Sequence, residues 1–516
     1  MSQEVTYDCA EFDKVLTYFA QSQSTQTMQD NAREFEALPA YWAASDCLNY
    51  ASQDTPLTVD EYFNFLEEFV VPEVVDTTSP WFIGHMTSAL PAYIPRLAQK
   101  IAEMNQNLVK IETSRVLTIT ERKMLAVMHW LVFNDASIPY ERLEQNADVC
   151  LGCFCSGGTL ANITALWVAR NLFIEQYGQN NLQHCVILVS EVGHYSIAKA
   201  LNILGFKQDQ LVKIPITTQG IADTQWLRHY LTAIVSSKTI PLALIGVAGA
   251  TETGAIDELK ILSQLAQEFK VYYHVDAAWG GAFLFSNSRY LLAGIEAADS
   301  VTIDGHKQLY LPMGCGLVLF KSAVSARAIE HHATYILRQG SVDLGQYSLE
   351  GSRGANSLFL HANLSILGTK GLAAILDRNL WLAHTMSHLL HQQLHFEVIT
   401  EPRLNILTYR LNPLTRLAEY KQLSSTLQDN IELIKHLNIL LDQLTEYIQK
   451  AQRNTGRGFV SRTQVAYNNL PIWVFRVVLA NPLTTPDHLH EVLNEQVELM
   501  ESSEICQSLI QKMYNT

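Results

Sequence analysis

Three short runs hold residue types that can act on one small molecule. Lys307 closes Asp304-Gly305-His306-Lys307, just after the apolar stretch Val301-Thr302-Ile303. A neutral lysine amine forms an imine with an aldehyde, so a lysine there can anchor a carbonyl cofactor. A lone loop lysine is otherwise merely solvated. In His274-Val275-Asp276-Ala277-Ala278-Trp279-Gly280-Gly281, a carboxylate ends an apolar strand-like run. Open α/β sheets bind ligands at that edge. Asp276 can keep a ring nitrogen protonated there, or simply cap the next helix. The third run is Cys155-Ser156-Gly157-Gly158-Thr159-Leu160-Ala161-Asn162, which leads into a helical pattern through Arg170. A small-residue loop entering a helix offers free N–H groups and the positive dipole end, a natural seat for phosphate. No Gly-Lys-Ser/Thr follows, so it is not a nucleotide P-loop, nor is it Gly-x-Gly-x-x-Gly. By itself it reads equally as a glycine turn.

Order makes the set stronger than its parts. The small-residue loop is followed by Glu191-Val192-Gly193-His194-Tyr195-Ser196, then Thr251, Asp276 and finally His306-Lys307. Each after the first follows an apolar run. The apolar runs of this region include Cys185–Val189, Leu242–Val247, Val271–Val275 and Gly316–Phe320. Runs apolar on both faces suit strands covered by helices on both sides, so 147–320 reads as an α/β unit with a mainly parallel sheet. Residues 1–100 read as mainly helical, with an irregular stretch between Pro80 and Pro91. A long helix is expected from Ile94 to Ile111. From 371 onward long helices alternate with strands such as Leu470–Val478, a smaller α+β unit. The expected domains are therefore 1–100, 101–370 and 371–516.

The bulk numbers narrow the setting. A chain of 516 residues exceeds what one core needs. Hydrophobic residues make up 48% and mean hydropathy is +0.04, yet no run of about 18 uncharged apolar residues marks a membrane span. A subunit interface would use that surplus. The net charge of -15 disfavours nucleic acid. Met1-Ser2-Gln3-Glu4-Val5 lacks a basic-then-apolar leader pattern, and the eight cysteines read as reduced thiols. The expectation is a cytoplasmic homo-oligomer acting on a small molecule, without membrane or nucleic acid. Cys150, Cys153 and Cys155 lack a second pair for a metal knuckle and read as strand cysteines. His384, His388, His391 and His395 recur at helical spacing but lack the glutamate of His-Glu-x-x-His. No metal is expected.

The ordered runs resemble the group II pyridoxal-phosphate (PLP) amino-acid decarboxylases, which have the fold-type I PLP-dependent transferase fold. The likeness covers nearly the whole chain and is nearest to bacterial pyridoxal-dependent aspartate 1-decarboxylases, often labelled glutamate decarboxylase-like. It rests on Gly84–Pro91, Asn105–Ser114, Ala298–Tyr310 and Ser348–Arg353. It implies a large seven-stranded-type sheet domain, a small C-terminal domain, and a homodimer with its site at the interface.

The resemblance also implies roles. Gly158, Thr159, Ser300 and His306 would contact the cofactor phosphate. His194 would stack on one ring face and Ala278 on the other. Thr251 would lie near the phenolic oxygen or imine, Asp276 would pair with the ring nitrogen, and Lys307 would form the imine. Arg353 would reach the site, from its own chain or from across the dimer. The loop Phe82–Ser88, with His85 and Thr87, would face substrate, although it holds no arginine. Relatives deliver the final proton from a loop tyrosine; here Tyr335 and Tyr347 sit off the expected spacing, and His194 is a second candidate. The implied reaction is α-decarboxylation of L-aspartate to β-alanine and CO2. Glutamate decarboxylation to GABA is the first alternative, followed by aromatic amino acids or cysteine sulfinate. A PLP aminotransferase or lyase shares the fold and differs in yielding no CO2. A catalytically dead interaction protein would be free to lose Lys307, Asp276 or His194; all are present.

Overall fold

The computed structural model describes residues 5–20, 56–332, 340–416 and 431–516. Its centre is a seven-stranded sheet: β1 (Gly152–Cys155), β2 (Cys185–Ser190), β3 (Leu211–Ile214), β4 (Ile240–Val247), β5 (Tyr272–Asp276), β6 (Ser300–Asp304) and β7 (Gly316–Phe320). Across the sheet the order is β1-β7-β6-β5-β4-β2-β3. Strands β6, β5, β4, β2 and β3 are mutually parallel. β7 runs antiparallel to β6 and to β1. Every residue of β1, β2, β6 and β7 is buried. This is the physical reason their sequences are apolar on both faces.

Parallel strands require crossovers, and these place all carboxyl ends along one edge. The helix Gly158–Tyr177 follows β1, and Ser196–Ile203 follows β2. Their apolar sides close one face of the sheet with Ile187, Val189 and Ile245.

A second sheet is antiparallel, in the order β10-β11-β9-β8. Its strands are β8 (Phe396–Thr400), β9 (Ile406–Leu411), β10 (Ser461–Tyr467) and β11 (Leu470–Val478). The helices Gly368–Gln392 and Ile431–Thr455 pack on it through Leu390, Leu441 and Leu444 against Tyr409 and Phe475. The N-terminal helix Cys9–Ala20 lies on Gly368–Gln392, with Phe12 and Val15 against Leu372 and Ile375. Phe82 bridges to Phe459, joining the early segment to the second sheet.

The single helix expected over Ile94–Ile111 is broken. It spans Ile94–Met104 and stops where Asn105 turns left-handed at φ 44. Asparagine tolerates that conformation, and it ends the helical bonding. A short helix, Ile111–Ser114, follows, and the next long one starts at Val116. Among the described residues no single helix is long and apolar enough to cross a membrane.

Candidate active site

A cavity of about 570 Å³ opens at the carboxyl edge of the parallel strands. Each strand end delivers one element to it. The turn after β1 supplies Gly157, Gly158 and Thr159; β2 leads to His194; β4 to Thr251; β5 ends on Asp276; β6 ends on Asp304 and turns to His306 and Lys307.

The floor is built for an anion. The first intrahelical bond of Gly158–Tyr177 runs from the Ala161 N–H to the Gly157 carbonyl. The N–H groups of Gly158, Thr159 and Leu160 precede it, so they are left without an intrahelical acceptor. No side chain caps this helix. A Cβ on Gly158 would sit 2.9 Å from Asp304 Oδ2 and 3.2 Å from the Ala278 Cβ. Only a bare backbone leaves that floor open.

Lys307 Nζ lies 3.0 Å from Asp304 Oδ2, while Asp304 Oδ1 is buried without a hydrogen-bond partner. His306 donates from Nδ1 to the Cys315 carbonyl at 2.8 Å. Its Nε2, on the cavity side, lies 3.7 Å from Asp304 Oδ2.

Behind the wall a hydrogen-bonded chain fixes Asp276. Its Oδ2 accepts from Asn162 Nδ2 at 2.8 Å, and its Oδ1 from the Ala278 N–H at 3.2 Å. Asn162 Nδ2 also donates to Ser196 Oγ at 3.0 Å. The Ser196 hydroxyl therefore donates onward to His194 Nδ1, 2.7 Å away, and the Ser196 N–H points to the same nitrogen at 3.3 Å. Both bonds need an unprotonated Nδ1, so His194 carries its proton on Nε2. Burial holds the His194 pKa below the ordinary value, against the nearby Asp276 charge. Asn162 Oδ1 accepts from His274 Nε2 at 3.0 Å, and His274 Nδ1 meets Ser300 Oγ at 2.8 Å. Burial lowers the His274 pKa to about 4, so this link is neutral near pH 7.

The expected residues thus divide. Gly158, Thr159, His194, Thr251, Asp276, Ala278, His306 and Lys307 meet around one cavity. Ser300 does not join them, which corrects its expected phosphate contact. Its hydroxyl is buried on His274. Ser300 and Asp304 are opposite ends of one five-residue strand, about 13 Å apart at strand rise. Arg353 does not reach the cavity of its own chain. Within this chain its guanidinium is buried against Glu121, with Nη1 2.7 Å from Oε2, and it is absent from the cavity wall. His85 and Thr87 bond to each other at 2.7 Å, and the wall takes Met86 between them. Tyr347 is buried away from the cavity, its hydroxyl 3.4 Å from the Ala147 carbonyl. Tyr335 lies outside the described residues.

Sequence reasoning missed Asn162, Asp304 and Arg476. The first two sit inside runs already singled out. Arg476 comes from β11, far along the chain. Its Nη1 donates to the Thr251 carbonyl and its Nη2 to that of Gly84, both at 3.1 Å. Its Nε is buried without a partner. In the histidine stripe, His391 pairs with Glu401 at 2.7 Å and His388 with Gln392. Among the described residues no three His, Cys, Asp or Glu side chains gather to hold a metal.

Residues 39–412 match the pyridoxal-dependent decarboxylase conserved domain. This chain belongs to the pyridoxal-dependent decarboxylases. Among their curated members, the aspartate 1-decarboxylase of Aliivibrio fischeri is 44% identical over 497 residues, spanning 93% of this chain and 90% of that one. The L-2,4-diaminobutyrate decarboxylase of Rhizobium meliloti is 28% identical, over 78% of this chain and 75% of the relative. The fold is that of solved decarboxylase structures. Mouse CSAD superposes with a TM-score of 0.76 at 21% identity, covering 95% of this chain and 98% of that one. Oryza sativa TDC with PLP and tryptamine gives 0.76 at 19%, covering 94% and 96%.

The cofactor of this decarboxylase is PLP. The cavity fits it: an uncapped helix start for the phosphate, a carboxylate at a strand end for the ring nitrogen, and a lysine amine for the aldehyde.

Proposed function

We propose that the chain removes the α-carboxyl group of L-aspartate, giving β-alanine and CO2. The observation that carries this substrate is the 44% identity to an aspartate 1-decarboxylase along nearly the whole chain. When bound, PLP draws into its ring the electron pair left at Cα as CO2 departs.

The chain's own residues do the rest. Lys307 would carry the cofactor aldehyde, giving up its Asp304 contact. The helix-start N–H groups of Gly158 and Thr159, with His306, hold the phosphate. Asp276 accepts the ring-nitrogen N–H and keeps that proton in place; its carboxylate is pinned by Asn162 and Ala278, so it cannot swing away. His194 and Ala278 would enclose the ring, and the neutral His194 turns Nε2–H toward the cavity. Thr251 would line the aldehyde end of the cofactor. A substrate carboxylate meets Arg476, whose buried unpartnered Nε supports that role. A proton then closes the bond position at Cα; His194 Nε2–H and the Tyr335 hydroxyl are its two candidate donors.

The enzyme acts as a cytoplasmic homodimer. Supporting this, Val59, Phe63 and Val74 stay 72%, 59% and 60% exposed in the single chain. Apolar surface of this kind marks an interface, and residues 1–100 would form it beside the 101–370 cofactor domain and the 371–516 small domain.

The test is CO2 release from aspartate, glutamate, cysteine sulfinate, 2,4-diaminobutyrate and tryptophan at equal concentration. Aspartate gives the highest kcat/KM. A clear preference for another substrate overturns the proposal.

A further inference from the structure

A second cavity, of about 400 Å³, lies beside the far ends of the helices Gly158–Tyr177 and Ser196–Ile203. It shares no residue with the cofactor cavity. Arg170 is twelve residues along its helix from Gly158, about 18 Å at helical rise. The phosphate of a cofactor held at Gly158 therefore does not reach this cavity.

The chemistry of its wall is one-sided. Two cations line it, Arg170 and Lys207, and no carboxylate does. Neither forms an ion pair among the described residues, in a chain of net charge -15. Arg170 gives Nη1 to Asn171 Oδ1 at 3.1 Å, but its Nε is buried without a partner. A buried guanidinium N–H with no acceptor costs free energy that an arriving anion would recover. The helix-end carbonyls nearby do not need these cations. Tyr177 O is met by Asn181, Ala200 O by Leu204 and Leu201 O by Phe206.

The cavity is also preformed. Gln210 is buried beneath it and donates to the carbonyls of Leu182 and Cys185 at 2.7 and 2.9 Å, while its Oε1 accepts the Lys207 N–H. That clamp fixes the loop carrying Lys207 against the segment carrying Leu182. Leu182 and Phe206 add an apolar wall, and Gln179 and Gln183 add amides. A few polar groups on an apolar wall, at this volume, describe a small-molecule site.

We propose that this cavity binds a phosphate-bearing small anion, with Arg170 and Lys207 holding the phosphate. Both a phosphate monoester and free phosphate carry that chemistry. The test is isothermal titration of holoenzyme desalted of excess PLP, in phosphate-free buffer, with AMP and separately with inorganic phosphate. One site per chain is expected. Arg170→Gln and Lys207→Gln each weaken it by about tenfold or more, the loss of one charge-assisted contact, while decarboxylation without added anion stays unchanged. Lys238→Gln, an exposed lysine outside the cavity, serves as the control and binds as wild type. Tighter binding of AMP than of phosphate assigns the site to a phosphate ester; equal binding assigns it to the free anion. Absence of saturable binding by either probe at millimolar concentration overturns the proposal, as does binding that survives both glutamine variants.

Discussion

Gly158→Ala tests the cofactor floor with a single methyl group. The new Cβ would stand 2.9 Å from Asp304 Oδ2 and 3.2 Å from the Ala278 Cβ. Both are closer than ordinary van der Waals contact. The nearest atom belongs to a side chain, so Asp304 can rotate and the backbone can stay. That rotation breaks the 3.0 Å contact with Lys307 Nζ, and the methyl group itself intrudes on the phosphate floor. Overpacking of this size costs about 1–3 kcal/mol. Expressed on cofactor binding, it becomes roughly a 5- to 150-fold rise in Kd. The assay is PLP titration of apoenzyme followed by tryptophan fluorescence, with thermal melts of both apoproteins. Gly351→Ala is the control, because nothing lies within 4 Å of a Cβ there. An alanine variant that binds PLP within twofold of wild type, at an unchanged melting temperature, would refute the reasoning.

Other perturbations separate the remaining roles. Asp276→Asn should keep its Asn162 and Ala278 neighbours and still bind PLP, yet lower kcat by about 10²–10³, the usual cost of removing one preorganised electrostatic group; steady-state kinetics with a cofactor spectrum check this, and unchanged kcat contradicts it. Arg476→Gln should raise KM for aspartate more than it lowers kcat, and Arg476→Lys should recover part of the loss; an effect on kcat alone would assign Arg476 to holding Thr251. Burial lowers the His129 pKa from 6.5 to about 4, so the unfolded chain takes up a proton that the folded protein refuses. Stability contributed this way is present above pH 6.5 and is lost as pH falls toward 4, by about 2 kcal/mol between pH 6.5 and 5. Urea unfolding of His129→Gln should therefore show a pH 7-to-5 loss smaller by about that amount; an equal loss in both proteins contradicts it.

Local pattern made much of this molecule readable. Buried parallel strands must be apolar on both faces, so β2, β4, β5 and β7 stood out as runs, and the chemistry at their ends followed: His194, Thr251 and Asp276. Lys307 alone was ambiguous, and its place in that ordered series is what gave it meaning. What stayed hidden depends on the third dimension. Ser300 and Lys307 look alike as members of one motif, but a strand separates them, and only Lys307 reaches the carboxyl edge. Arg353 has no local mark of its burial against Glu121, a partner 232 residues away. Arg476 lies in an ordinary β-strand run, and its closeness to Thr251 spans 225 residues. The helix over Ile94–Ile111 failed on one residue, because asparagine at 105 chose the left-handed turn that its side chain permits.

We propose that this cavity holds PLP through Lys307. Borohydride reduction of the holoenzyme, followed by digestion and peptide mass spectrometry, tests it most directly. The phosphopyridoxyl mass is expected on Lys307 in stoichiometric yield and absent from Lys307→Ala. A label on another lysine, or one that persists in Lys307→Ala, would contradict it.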